Sequence, residues 1–138
     1  NYVPGSSERM LLYRELDGLE RDEDVEAFRN RMKDRFGEIP EEGEELIRAV
    51  ALRRLGKGLG VEKIFLKAGR MVFYFVKNEN SAYFESKVFG QCIAYATMNV
   101  HRSNLRESKG RRSMVIREVP SVKEAVSILK QISEMQAV

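Results

Sequence analysis

The chain has 138 residues, of which 43% are hydrophobic and 33% charged. This length and composition are typical of one globular domain, and no apolar run approaches the roughly 20 residues that cross a bilayer, so no membrane partner is predicted. The single cysteine, Cys92, excludes an intrachain disulfide and a multi-cysteine zinc site, and favours a reducing, cytoplasmic location.

Charge is distributed unevenly along the chain, although the formal net charge is only +3. Residues 1–50 contain 8 Lys or Arg and 14 Asp or Glu, whereas the remaining residues contain 16 and 7. The sequence therefore predicts an acidic and a basic surface. Such surfaces can attract a charged partner, or they can be ordinary solvated faces with no partner. The sequence does not decide between these two interpretations.

Three helices are predicted in the first part of the chain, which opens with NYVPGSSERM and lacks an initiating Met or a signal peptide, as expected for a piece of a longer protein. Apolar residues from Met10 to Leu19 recur at helical spacing. A second apolar stripe ends at Phe36, and Gly37 and Pro40 mark a helix end and a new start. The third helix is predicted to bury Leu46 and to stop at Gly60.

The second part reads as two successive strand-strand-helix units. Each begins with a hairpin whose turn contains a glycine, Gly69 or Gly110, and each ends in a helix. Residues 71–76 are all apolar, which predicts a central strand or one covered on both faces. The predicted fold class is α+β: three N-terminal helices followed by two strand-strand-helix units, with antiparallel sheet packed with helices. Strand order, and whether there are one or two sheets, are left open.

Patterns for catalysis, cofactors and metals give no positive signal. The phosphate-loop pattern G-x-x-x-x-G-K-[ST] is absent, and His101, the only histidine, has no ligand or nucleophile at a useful spacing. Cys92 lies among apolar residues and is interpreted as an inert core thiol. The sequence therefore predicts no catalytic, cofactor-binding or metal residue, and a domain that is not an enzyme.

The second hairpin carries the one constellation that suggests binding. Its cations suit either the phosphates of a nucleic acid or an acidic protein surface. No aromatic side chain accompanies them in this hairpin, and the rings of the first hairpin are interpreted as core. The candidate interaction surface consists of Arg102, Arg106, Lys109, Arg111 and Arg112.

The run FRNRMKDRFGEIPEEGEELIRAVALRRLGKGLGVEKI, residues 28–64, resembles the C-terminal domain of bacterial transcription-repair coupling factors, the Mfd family. In that family a helix ends in Asp-Arg-Phe-Gly, and a Pro, a Leu-bearing helix, a Leu-Gly exit and a strand follow. The segment YVPGSSERMLLYREL resembles the region before it, so the resemblance covers about residues 2–66. The matching motif residues are Asp34, Arg35, Phe36, Gly37, Pro40, Leu46 and Gly60.

The resemblance implies a parent DNA translocase, ATP-binding and helicase-like, that couples removal of stalled RNA polymerase to nucleotide excision repair of DNA damage. Residues 1–20 would be a connecting helix from the preceding translocase region, and residues 21–138 a regulatory α+β domain. Such a domain is autoinhibitory: it docks on the N-terminal UvrB-like module, hides its UvrA-binding surface and restrains the motor on double-stranded DNA. The alternative from the residues is an accessory domain that binds nucleic acid through the basic second hairpin.

Overall fold

A computed structural model describes residues 2–137 and confirms the predicted α+β class and the order of its elements. The described residues form α1 (Ser6–Asp17), α2 (Asp22–Phe36), α3 (Glu41–Gly58), β1 (Val61–Lys67), β2 (Arg70–Phe75), a 3-10 helix (Ala82–Glu85), α4 (Lys87–Met98), β3 (Ser103–Ser108), β4 (Arg111–Ile116) and α5 (Val122–Glu134). No helix within this part of the chain has both the length and the hydropathy to cross a bilayer.

The chain divides into two compact units, Asn1–Val50 and Ala51–Val138, and the division falls within α3. This boundary coincides with the change from acidic to basic sequence. The change in charge thus follows a structural division, and each unit has its own hydrophobic cluster.

The first unit has a small core. Its buried residues are Leu16, Phe28, Ile47 and Val50. Leu46, which was predicted to lie in the buried stripe of α3, is instead 38% exposed. Helical spacing shows which residues share a face, but the width of the face that becomes covered depends on the size of the core.

The second unit contains one four-stranded sheet in the order β1-β2-β4-β3, and every neighbouring pair is antiparallel. Both hairpins turn through two residues with positive φ, Ala68–Gly69 and Lys109–Gly110. Positive φ at both positions is typical of the tight turns whose twist matches that of the flanking strands. The predicted hairpins are therefore confirmed, and β2 occupies the central place that its apolar run predicted.

One face of this sheet carries the main core. Met71, Phe73 and Phe75 alternate along β2 with no exposed surface and cluster with Cys92 of α4 and Ile128 of α5. Side chains of successive strand residues point to opposite faces, so Val72 and Tyr74 belong to the other face. Helices α4 and α5 thus cover only one side of the strands.

Two serines explain where the helices of the second unit begin. The Ser86 hydroxyl accepts a hydrogen bond from the Phe89 amide at 3.2 Å, and the Ser121 hydroxyl accepts one from the Glu124 amide at 3.1 Å. The second bond is the N-cap bond typical of a Ser-x-x-Glu pattern, here Ser121-x-x-Glu124. The first marks the boundary between the 3-10 helix and α4, where the sequence predicted a single helix after the first hairpin.

Candidate interaction surfaces

The Asp-Arg-Phe-Gly motif lies at the end of α2, where Gly37 has φ 88° and ψ −170°. This conformation is almost exclusive to glycine, although it differs from the left-handed helical one expected at a helix end. The Tyr2 hydroxyl donates to the carbonyl oxygens of Gly37 at 2.6 Å and Met32 at 3.0 Å. The motif glycine therefore lies in the joint between α2 and α3, and the hydrogen bonds from Tyr2 fix the α2 end of this joint.

The side chains of the motif surround this joint without forming a pocket for chemistry. Phe36 is half-buried rather than buried, and its ring lies 5.8 Å from the ring of Tyr2. The Arg35 guanidinium lies 5.0 Å from the Phe36 ring centroid and pairs with Glu8, whereas Asp34 is exposed. Of the predicted motif residues in this region, Arg35 and Phe36 are thus engaged within the unit, and Asp34 presents its carboxylate to solvent.

A cavity of about 380 Å³ opens in the first unit. Its lining is mainly apolar and includes Leu12, Met32 and Leu46, so the exposed position of Leu46 places it at this opening. Pro40 also lines the cavity, and its carbonyl oxygen accepts the Glu44 amide at 3.0 Å in the first turn of α3. The cavity offers apolar contact rather than a constellation of catalytic groups.

Gly60, the last residue of the family motif, makes a close contact within the second unit. It has φ 78°, and a Cβ atom placed there would lie 2.1 Å from Cε1 of Tyr83. The Tyr83 hydroxyl donates to the Leu59 carbonyl, which holds the ring against the turn. Two independent requirements, positive φ and the nearby ring, therefore demand glycine at this position.

The five cations predicted as an interaction surface do not share one face. Arg106 and Arg111 lie on the face of the sheet turned away from α4 and α5. Arg106 is opposite Ser113, Arg111 is two residues before Ser113 on β4, and Ser113 is opposite Tyr74 of that face. Arg112 has the opposite orientation: its guanidinium lies 4.4 Å from the Phe84 ring centroid and 3.6 Å from Glu107. Arg112 therefore packs within the fold.

Arg102 and Lys109 lie at opposite ends of β3. The Arg102 guanidinium donates to the carbonyl oxygens of Arg117 at 2.9 Å and Glu118 at 2.8 Å. These bonds tie the start of β3 to the end of β4. Lys109 is exposed in the hairpin turn, with φ 55°. The predicted surface thus separates into residues that brace the fold and residues that are accessible.

The aromatic residues of the first hairpin lie on both faces of the sheet, so the prediction that they all belong to the core was only partly right. Phe73 and Phe75 are buried as expected, but Phe65 is 56% exposed and contacts Tyr74 with ring centroids 6.0 Å apart. A sequence signal for this was present, since Lys63, Phe65 and Lys67 alternate along β1. Period-two spacing places all three on one face.

Cys92 and the acidic residues offer no reactive site within residues 2–137. The Cys92 side chain has no exposed surface, and burial raises the pKa of its thiol to about 12, so the thiol is inert at neutral pH. Among the described residues, no group of three or more His, Cys, Asp or Glu side chains could hold a metal ion.

The class of protein that this fold defines is a small α+β module in which helices cover one face of an antiparallel sheet. The family model described as the TRCF domain matches residues 1–86. The chain belongs to the TRCF domain family, which confirms the resemblance to transcription-repair coupling factors.

Curated relatives agree with this assignment. The transcription-repair-coupling factor of Rickettsia bellii is 35% identical over 82 residues, 59% of this chain and 7% of that protein. The one from Rickettsia conorii is 33% identical over 78 residues, 56% of this chain and 7% of that protein. The chain therefore spans a small part of the length of the curated relatives that it matches.

The fold has a solved counterpart. A crystal structure of the C-terminal domain of a transcription-repair coupling factor matches with a TM-score of 0.75, covering 98% of this chain and 84% of that one. Sequence identity in this comparison is 15%, so the match supports the fold. It extends beyond residue 86, into the second strand-strand-helix unit.

Proposed function

We propose that this chain is a non-catalytic regulatory domain of a transcription-repair coupling factor, acting in the cytoplasm. It docks on the N-terminal UvrB-like module of its parent chain, hides the UvrA-binding surface there and restrains the motor until RNA polymerase is engaged. ATP and double-stranded DNA are then ligands of the motor region. Residues 1–20 act as the connecting helix, and residues 21–138 act as the regulatory domain.

The observation that carries this proposal is the family match combined with the size of the chain. The relatives are named as transcription-repair-coupling factors, and the chain aligns with 7% of the length of each of the two described above. A part of this size suits a regulatory module better than a whole motor.

Two surface features support a role in protein contacts. Helix α1 exposes Met10, Leu11 and Tyr13 at 58%, 63% and 49%, and clustered exposed apolar residues are typical of surfaces that another protein part covers. Arg106 and Lys109 are exposed and pair with no carboxylate among residues 2–137. Such free charges suit a contact that must open and close, since interdomain interfaces are more polar than permanent ones.

Deletion of residues 21–138 from the full-length parent tests the regulatory role. We expect both UvrA binding and polymerase-independent ATPase activity to rise, because the deletion exposes the hidden surface and releases the motor. Unchanged UvrA binding and unchanged ATPase activity would contradict autoinhibition.

Charge reversal tests the accessible part of the candidate interaction surface. Arg106→Glu with Lys109→Glu in the full-length parent should raise the same two activities, because a carboxylate repels the acidic partner that these cations would meet. The matched control is Lys87→Glu with Lys123→Glu, which has the same charge change at exposed positions in the first turns of α4 and α5. An equal effect of both pairs would show that net charge, rather than the hairpin, controls the contact.

A further inference from the structure

The face of the sheet turned away from α4 and α5 brings together residues of both hairpins. Register places Lys63 opposite Tyr74, Phe65 opposite Val72, and Lys67 opposite Arg70. It also places Tyr74 opposite Ser113, which in turn lies opposite Arg106. Directly opposite residues of antiparallel strands share a face. We call this surface the open face and define it by Lys63, Phe65, Lys67, Arg70, Tyr74 and Arg106.

Two aromatic rings lie on the open face, and one of them is largely exposed. Phe65 on the edge strand β1 is 56% exposed, and it contacts Tyr74 of the central strand β2. The Arg111 guanidinium lies 5.5 Å from the Tyr74 ring centroid and donates to the Phe75 carbonyl, so the arginine supports this ring. Because Phe65 is exposed between two lysines, it contributes little to the core and leaves its ring accessible for contact with a ligand.

Cations surround the two rings. Lys63 and Lys67 flank Phe65 along β1, while Arg70 and Arg106 lie across the strands. None of these four forms an ion pair with a carboxylate in the part of the chain that the structure describes. A depression at this face is lined by three arginines, Arg70, Arg106 and Arg111, and by one acidic residue, Glu107, among others. The open face is therefore a positively charged surface with aromatic rings inside it.

This combination distinguishes among partners. An acidic peptide would neutralise the cations but would leave the flat face of Phe65 without a specific contact. A duplex would offer phosphates, but its bases are stacked inside. Unpaired bases stack on aromatic side chains while their phosphates contact Lys and Arg, and four-stranded sheets are known to bind RNA in this way.

We infer that the open face binds single-stranded nucleic acid, with bases stacked on Phe65 and Tyr74 and phosphates held by Lys63, Lys67, Arg70 and Arg106. This binding site goes beyond the proposed regulatory role and does not depend on it. It also differs from a site confined to the basic second hairpin, because both rings and three of the four cations belong to the first hairpin.

The test measures fluorescence anisotropy of labelled oligonucleotides of about 12 nucleotides, one deoxythymidine and one uridine oligomer, on titration with the 138-residue chain. We expect both to bind more tightly than a duplex of the same length, and the stronger of the two identifies the natural ligand as DNA or RNA. With four phosphate contacts, log affinity should fall with log salt at a slope of roughly −3.

Variants separate stacking from charge. Phe65→Leu and Tyr74→Leu should each weaken binding about tenfold while keeping an apolar side chain at the site. Tyr13→Leu, which removes an exposed ring elsewhere in the chain, should leave affinity unchanged. Lys63→Gln with Arg70→Gln should reduce both affinity and the salt slope, whereas Lys87→Gln with Lys123→Gln has the same net charge and should not.

Three results would overturn the inference. The first is equal affinity for single strands and duplex, with no effect of Phe65→Leu or Tyr74→Leu. This result would mean that nucleic acid is attracted by charge alone and does not bind at a specific site. The second is absence of binding to either oligonucleotide. The third is binding of a polyglutamate peptide that competes with the oligonucleotides and depends on the cations but not on Phe65, which would identify an acidic protein as the partner. Circular dichroism of each variant ensures that a loss of binding is not a loss of folding.

Discussion

Residues 2–50 and residues 51–137 are stabilised by different proportions of apolar burial and ion pairing. The cluster in the first unit has four buried residues, whereas the cluster in the second has seventeen. Arginine–carboxylate pairs occur in both units: Arg29, Arg31, Arg35 and Arg48 make them beside the small core of the first, and Arg102, Arg111 and Arg112 make them beside the larger core of the second. The acidic half of the chain thus relies more on its polar surface than the basic half does.

This difference predicts unequal stability. Burial of apolar surface contributes about 25 cal/mol for each Å², while an exposed ion pair contributes roughly 0 to 1 kcal/mol. We therefore expect amide hydrogens of residues 2–50 to exchange at lower free energy of opening than those of β2, β4 and α5. A first unit that is easier to open would suit the proposed regulatory role, in which a contact has to be released.

Substitution of the two motif glycines should produce the largest contrast. Gly60→Ala should lower the free energy of unfolding of the second unit by about 5 kcal/mol, because strain at positive φ adds to a clash with Tyr83. Gly37→Ala should cost only ~1 to 3 kcal/mol, since its Cβ would meet no atom within 4 Å and strain alone remains. Urea unfolding followed by circular dichroism measures both. Equal losses would mean that the Tyr83 ring moves aside without cost.

A core truncation in β2 should have the next largest effect. Phe73→Ala should cost about 4 kcal/mol, because the ring is completely buried and its removal leaves a cavity. The Cys92 thiol serves as a local probe, since it reacts with a thiol reagent only when the second unit opens. Labelling of Cys92 should accelerate in Phe73→Ala but not in Phe28→Ala, which truncates the core of the first unit. Equal acceleration would contradict separate stability of the two units.

The order of elements was readable from the sequence because local chemistry determines it. Gly69 and Gly110 predicted two hairpins, since tight turns require positive φ there. The order β1-β2-β4-β3 was not readable, because the pairing of β2 with β4 joins residues that are distant along the chain. Pairing of this kind depends on how whole hairpins pack rather than on any turn.

Surfaces were harder to predict than elements. Arg111 and Arg112 are adjacent in a charged run, yet alternation along β4 places one beside Tyr74 and the other against Phe84. The run YF at Tyr74 and Phe75 is divided in the same way. In the sequence such neighbours look like one charged or aromatic cluster, whereas in the strand their side chains point to opposite faces of the sheet. The open face becomes recognisable only when the residues of four strands are sorted by face.

Truncation of the motif phenylalanine should have a smaller effect than truncation of the core. Phe36→Ala should cost ~1 to 2 kcal/mol rather than the ~3 to 5 typical of a fully buried ring, because Phe36 is half-buried. Tyr2→Phe is the companion variant, since it keeps the contact between the rings and removes only the hydrogen bonds to Gly37 and Met32. Thermal unfolding compares the two. A loss as large as that of Phe73→Ala would show that this joint belongs to the core.

The smallest expected effect concerns the ion pairs of the first unit. Arg29 and Glu44 lie on different helices, are only 19% and 21% exposed, and approach to 3.1 Å. A double-mutant cycle with Arg29→Met and Glu44→Gln should give a coupling energy of about 1 kcal/mol, which falls little in salt because the pair is partly shielded from solvent. The exposed pair of Arg21, the residue before α2, and Asp24, in the first turn of α2, should give a smaller coupling that salt abolishes. Equal coupling energies in the two cycles would mean that partial burial does not strengthen an ion pair. The ion pairs of the first unit would then contribute little to its stability.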